Sequence, residues 1–157
     1  MTLNMNELVR GGTLCLNRAV WAEGTAAATI KNVAASGLAF INFAINGILY
    51  VYPDTDSVTI TAAAEQADLT TCIYLICLST ASGLTTVKGT EILSADLTSG
   101  KKVLHWPAPL ADTCPVGAIK VVNSAGTFTA ATTDLGAGTV TDTYYNLFAV
   151  PTGPLTS

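Results

Sequence analysis

The sequence predicts an all-β fold, a sandwich or barrel body preceded by an N-terminal arm, and three observations carry that prediction. Short β-prone runs recur at about 8–12-residue spacing with turn signals between them, the pattern of sandwiches and barrels. Residues 38–52, LAFINFAINGILYVY, hold Asn46-Gly47 between two apolar runs, and a type I′ hairpin turn needs the positive φ that Asn and Gly tolerate at its two central positions. Residues 70–78, TTCIYLICL, are apolar on both faces, as expected of a strand covered from both sides or buried at a subunit interface.

Taken in order, residues 1–33 contain both arginines, Arg10 and Arg18, a Gly11-Gly12 break and Trp21, and hold neither a helical nor a strand period for long. They read as an irregular arm with scattered apolar anchors that orders against a partner, or alternatively as a first strand and loop of the domain itself. The body, residues 34–157, opens with the hairpin. A two-residue loop places Ile45 opposite Ile48, Phe43 opposite Tyr50 and Ile41 opposite Tyr52, so these six side chains share a face that must be buried. The other face, with Asn42, Ala44, Leu49 and Val51, is apolar enough to lie against something yet only half covered. The run is about long enough for a membrane span, but the central turn and Asn42 argue against a continuous helix.

Pro53–Ser57 is a turn cluster and Val58–Ala62 alternates with period two. Ala63–Leu69 is Ala-rich and long enough for two helical turns, too short to be stable alone. Beyond the 70–78 strand, Ser82-Gly83 turns the chain into Leu84–Val87, and Glu91–Leu93 is a further strand signal before the polar turn at 97–102. Val103–Trp106 reads as a short strand stopped by Pro107, Asp112–Gly117 as a polar connection, and Ala118–Val122 as a strand. Asn123–Gly126 is a hairpin loop returning through Thr127–Thr129, and Thr139–Val150 closes the body before a Pro/Gly tail.

At 157 residues one domain can bury about 68–70% of its unfolded surface without staples. Only 11% of residues are charged, half are hydrophobic, and threonines outnumber Asp, Glu, Lys and Arg combined. An exterior so poor in charge points to burial against other subunits. The net charge of −4, with Lys101-Lys102 the only basic pair, leaves no electrostatic footprint for nucleic acid. Cys72 and Cys77 point to opposite faces of one strand and cannot pair. Four buried thiols are therefore expected, with a Cys15–Cys114 bridge as the alternative. The opening residues lack the basic-then-apolar pattern of a secretory signal.

Candidate chemistry is sparse. His105 is the only histidine, and without C-x-x-C spacing no zinc ligand set forms around it. A Ser–His or Cys–His pair would need that same residue, beside a proline-stopped strand. Ser99-Gly100-Lys101-Lys102 fails as a phosphate loop, with Ala95 where glycine and Lys102 where a hydroxyl should stand. Glu65, Asp68, Glu91, Asp96, Asp134 and Asp142 lie in or beside polar turns and single out no acid/base pair. Asp54 and Asp56 are a bare D-x-D, too few oxygens for calcium. Tyr144 and Tyr145 are more readily divided between core and surface than joined in a sugar platform. No cofactor, metal or catalytic residue is expected, and the chain reads as a non-enzyme.

Phe43, Ile45, Asn46, Gly47 and Tyr50 form an F-x-I-N-G-x-x-Y hairpin, Pro115, Gly117, Ile119 and Val121 a P-x-G-x-I-x-V strand, and Thr127, Phe128, Thr133 and Leu135 a T-F-x-x-x-x-T-x-L segment. In that order, and closing on YYNL, they resemble small structural proteins of tailed bacteriophages, the capsid decoration or cement proteins and head-fibre bases. The resemblance spans about three-quarters of the chain and departs from the pattern at Cys15, Cys114 and residues 103–109. It implies a β-sandwich or jelly-roll-like body, often trimeric, on the outer surface of the head shell, with the major capsid protein as partner. Such a protein is made in the host bacterial cytoplasm and acts by bridging capsomers without catalysis. Under this reading the capsid contact falls to Leu8, Arg10, Leu14, Leu16, Arg18 and Trp21, and the oligomer contact to Tyr74, Ile76, Tyr144 and Phe148. Another virion position (head-fibre base, tail or baseplate) and a carbohydrate-binding sandwich module are the alternatives.

Overall fold

A computed structural model describes residues 12–34 and 40–147. The chain runs β1 Leu14–Cys15, β2 Ala19–Glu23, β3 Thr29–Ala34, β4 Phe40–Ile45, β5 Ile48–Pro53, β6 Thr55–Thr59, β7 Thr70–Ser79, β8 Leu84–Lys88, β9 Ile92–Leu93, α1 Ser94–Thr98, β10 Thr113–Asn123 and β11 Val140–Asn146. Three antiparallel sheets result, in the orders β1-β4-β5, β2-β3-β6 and β11-β10-β7-β8, with β9 also on β7. The body is thus a generic all-β sandwich assembly.

The hairpin forms in the expected register, with Ile45 opposite Ile48, Phe43 opposite Tyr50 and Ile41 opposite Tyr52. Asn46 at φ 52° and Gly47 at φ 81° supply the two left-handed residues of the turn. The ten-residue β7 is buried along almost its whole length, and its alternation divides it between two cores. Cys72, Tyr74, Ile76 and Leu78 face the main core with Phe43, Ile119 and Phe128. Ile73, Leu75 and Cys77 face a second core closed by Ile92, Leu97, Leu104 and Ala118. The unbroken apolar run is the sequence trace of this double cover.

Residues 12–33 do not behave as a separate arm. β1 pairs with β4, β2 with β3, and β3 with β6, while Cys15, Ala19, Trp21 and Ile30 are in the main core. Their strands are short, two to six residues, which is why no period persists in the sequence. The proposed boundary between 33 and 34 therefore cuts through β3.

Other local expectations change as well. Ala63–Leu69 makes no helix. Gln66 instead exchanges two backbone hydrogen bonds with Phe128 (2.8 and 3.1 Å), so Phe128 answers residue 66 rather than closing a hairpin after Asn123. The Gln66 side chain, fully buried, donates to the carbonyls of Thr70 (3.0 Å) and Val121 (3.1 Å) and accepts from the Tyr74 hydroxyl (3.3 Å). That polar plug offsets the competing helical propensity of the Ala-rich run. The helix lies at 94–98 instead, and residues 103–106 form no named strand although Leu104 is buried.

Thr113–Gly117, read as a connection, is the first half of β10. Pro115 is tolerated there because β11 pairs with β10 only from Gly117 onward, and a register shift between Pro115 and Gly117 marks a bulge. The bulge aims the Val116 carbonyl at the Trp21 indole N–H (3.3 Å), and Gly117 leaves room for the ring. A Cβ on Gly117 would stand 2.2 Å from Trp21 Nε1.

Candidate interaction surface

The most exposed apolar surface belongs to the β1-β4-β5 sheet. Its inner side is core, with Ile41, Phe43, Ile45 and Tyr52 at most 5% exposed and Phe43 stacked on Tyr50 at 5.6 Å. Its outer side is built in rows fixed by strand register. Leu14 lies beside Ala44 and Ala44 beside Leu49. The Leu16 N–H donates to the Asn42 carbonyl (2.9 Å), and Asn42 lies beside Val51.

Leu14 is 48% exposed, Leu16 38%, Leu49 70%, Val51 52% and Phe40 36%, and Ile48 at the hairpin tip is 60% exposed. These are six of the ten exposed large hydrophobic side chains among the described residues, so the exposure is concentrated rather than scattered. None of the residues in β1, β4 or β5 is charged. Asn42 is the polar residue of the rows, and its backbone N–H is taken by the Asn17 carboxamide oxygen (2.5 Å).

The face is held rigid from one end. The Asn46 N–H donates to Thr13 Oγ1 (3.0 Å) and the Gly47 N–H to the Gly12 carbonyl (3.1 Å). Gly12, at φ +80°, approaches so closely that a Cβ there would stand 2.6 Å from Gly47 N. At the other end Asn17 Nδ2 donates to the Phe40 carbonyl (2.9 Å), so both ends of β4 are tied to the segment around β1.

The residues expected at a capsid contact separate. Leu14 and Leu16 lie on this face and Arg18 is exposed, whereas Trp21 is a core residue at 5% exposure, held over Gly117. Trp21 is therefore removed from the contact set. Leu8 and Arg10 lie outside the described residues. Of the expected oligomer contacts, Tyr74 and Ile76 are completely buried within one chain and are not available to a neighbour. Tyr144 sits opposite Ile119, partly buried against the main core, and burial together with the adjacent Asp142 carboxylate pushes its hydroxyl pKa upward. Phe148 lies outside the described residues. Leu49 and Val51 were missed as contacts, although their place on the apolar outer side of the hairpin was the signal that marks them.

Elsewhere the polar groups serve the fold. Asp56 accepts from the Thr25 N–H (3.1 Å) and hydroxyl (2.6 Å), which lowers its carboxyl pKa and ties the β2–β3 loop to β6. Glu91 pairs with Lys88 and accepts from the Ala67 N–H (2.9 Å), and Asp96 lies 3.5 Å from Lys102.

Residues 99–102 follow the C-terminal end of α1, where Gly100, Lys101 and Lys102 donate to the carbonyls of Leu97 and Asp96. The N–H groups that a phosphate loop would present are consumed. His105 is exposed. No group of three or more His, Cys, Asp or Glu residues suited to a metal occurs among the described residues. All four cysteines are free and buried, and burial pushes the thiols of Cys72 and Cys114 up to about 11 and about 12, which suppresses the nucleophilic thiolate. No described helix is long and apolar enough to cross a membrane. No family model matches the chain, and no curated protein or solved structure matches it either.

Proposed function

We propose that this chain is a structural assembly protein of a tailed-phage virion, a decoration protein that sits on the outer head shell and stabilises it by burying surface across capsomer junctions. The observation that supports this reading most directly is the uncharged, apolar outer side of β1-β4-β5. A concentrated apolar surface of that kind marks a site where another molecule binds, and covering surface is what a cement protein does. The family assignment itself rests on the hairpin, strand and T-F-x-x-x-x-T-x-L resemblance.

In this mechanism no bond is made or broken. A standard contact of roughly 1,600 Å² repeated over many capsomers supplies binding free energy only in the assembled shell, and linkage converts it into shell stability. The shell contact is assigned to the N-terminal segment with Leu8, Arg10 and Arg18, while Leu14 and Leu16 belong by register to the outer side of the sheet. The carbohydrate-module alternative has no observation in its favour, since every Trp and Tyr among the described residues is at least partly buried.

Co-sedimentation of the purified protein with undecorated head shells tests the reading. Saturable binding and a higher shell disruption temperature are the expected results. Protein left entirely in the supernatant over shells that bind their other surface proteins would sink it.

A further inference from the structure

The outer side of β1-β4-β5 has area and chemistry that select among partners. Leu14, Leu16, Phe40, Leu49 and Val51 together leave on the order of 500 Å² of apolar surface in water, at the upper end of what monomers expose. Two such surfaces in contact bury about 1,000 Å², the threshold of a specific interface, with no rearrangement of either chain.

The chemistry points the same way. A foreign partner is usually selected by polar or charged groups placed against it. Here the three strands carry no charge, and Asn42 is the one polar side chain in their outer rows. Two copies, each with a net charge of −4, repel one another in general, and least where neither surface carries charge. An apolar, charge-depleted face matches the composition of homomeric interfaces.

We infer that the outer face of the β1-β4-β5 sheet is the surface through which this chain docks a second copy of itself. This deepens the assembly reading above and rests on its premise that the face works covered. The docked face runs across β4 from the β1 segment to β5, with Leu49, the most exposed of its side chains, as the anchor.

The test is the solution mass of the full chain over a dilution series, for the wild type, Leu49→Asp and Leu69→Asp. Leu69 is 57% exposed but precedes β7, on a different sheet, and so controls for adding a carboxylate to an exposed leucine. The wild type and Leu69→Asp are expected to be multimeric. Leu49→Asp should dissociate about 100-fold or more easily, because each contact would bury an unpaired carboxylate, while far-UV circular dichroism and the thermal transition of its monomer show the fold intact. Should Leu49→Asp unfold, Leu49→Thr carries the test with the same expected direction. A wild type monomeric at every concentration, or a folded Leu49 variant whose mass is unchanged, overturns the inference.

Shell co-sedimentation of the same variants keeps the two proposals apart. A monomeric variant that still binds shells leaves the decoration reading standing, and a multimer that ignores shells removes that reading alone.

Discussion

The strands β5 and β7 are both rich in apolar side chains and free of charged ones, yet they live in opposite environments. β7 is flanked by β8 and β10 and covered on both faces, and its interior residues are almost wholly inaccessible. β5 is the last strand of its sheet, with β4 on one side, core beneath it, and Leu49 and Val51 turned outward. The contrast teaches that apolarity on two faces of a strand counts covers without saying where they come from. For β7 both covers are in the chain. For β5 the second is not among the described residues.

The sharpest way to break that comparison is to remove a side chain where both covers are internal. Tyr74 is fully buried, packs edge-on against Phe128 at 5.9 Å and donates to Gln66. Tyr74→Ala should cost about 3–5 kcal/mol, the range for a large aromatic truncated in a core, plus the unsatisfied Gln66 oxygen. Equilibrium urea denaturation measures it. A loss below about 1 kcal/mol would mean that β7 relaxes like a surface strand.

The same pair of strands explains what could be read from the residues alone. The β4–β5 hairpin was legible to the last pairing, because turn chemistry fixes register locally. β7 was legible as a doubly covered strand, but its cover was ascribed partly to neighbours, and Tyr74 and Ile76 were placed at a subunit contact. Only tertiary structure reveals that 92–104 folds over the second face. The N-terminal strands were hidden by their brevity, and Trp21 looked like an anchor because the Gly117 that receives it is 96 residues away in sequence. Gln66 was hidden for a related reason, since an Ala-rich stretch reads as helix until Phe128 is seen to claim its backbone. The interaction face was half legible: its apolar character was plain, its concentration was not, since Leu14 and Leu16 join it only through β1–β4 pairing.

The buried thiols give a second contrast with the bare face, and its sign follows from linkage. Burial raises the thiol of Cys72 from 9.0 to about 11 and that of Cys114 from 9.0 to about 12. The folded state then holds these protons more tightly than the unfolded chain. The associated stability is complete below pH 9 and is lost progressively as pH rises from about 9 through 11 and 12. Denaturation midpoints should be flat from neutrality to pH 8 and fall above 9, and Cys72→Ala with Cys114→Ala should flatten part of that fall. A slope unchanged by the double substitution would assign the alkaline loss to other groups.

Gly117 tests how tightly the sheets meet. Gly117→Ala places a methyl group within 2.2 Å of Trp21 Nε1 and 3.0 Å of the Tyr145 carbonyl oxygen, so the ring or the β10 bulge must shift. The expected cost is about 1–3 kcal/mol, as for overpacking generally, read as a lower urea midpoint with a change in Trp fluorescence. An unaltered midpoint would show that Trp21 moves freely, and with it would return the possibility that the ring serves a contact outside the core.

The smallest effect bears hardest on the comparison. Leu49→Thr places a β-branched, strand-compatible side chain at a 70% exposed position, and in a dissociated monomer it should change folding stability by no more than about 0.5 kcal/mol. In the associated protein the same substitution should lower the apparent stability, and the gap between the two should widen with protein concentration, because association stabilises only the folded chain. Melting curves at several concentrations separate the two cases. A concentration-independent loss of about 2 kcal/mol or more would mean that Leu49 is buried by its own chain, and β5 would then join β7 as a strand with both covers internal. A small loss that grows with concentration identifies the missing cover as a neighbour, since only an intermolecular contact makes the stability of one side chain depend on how many copies surround it.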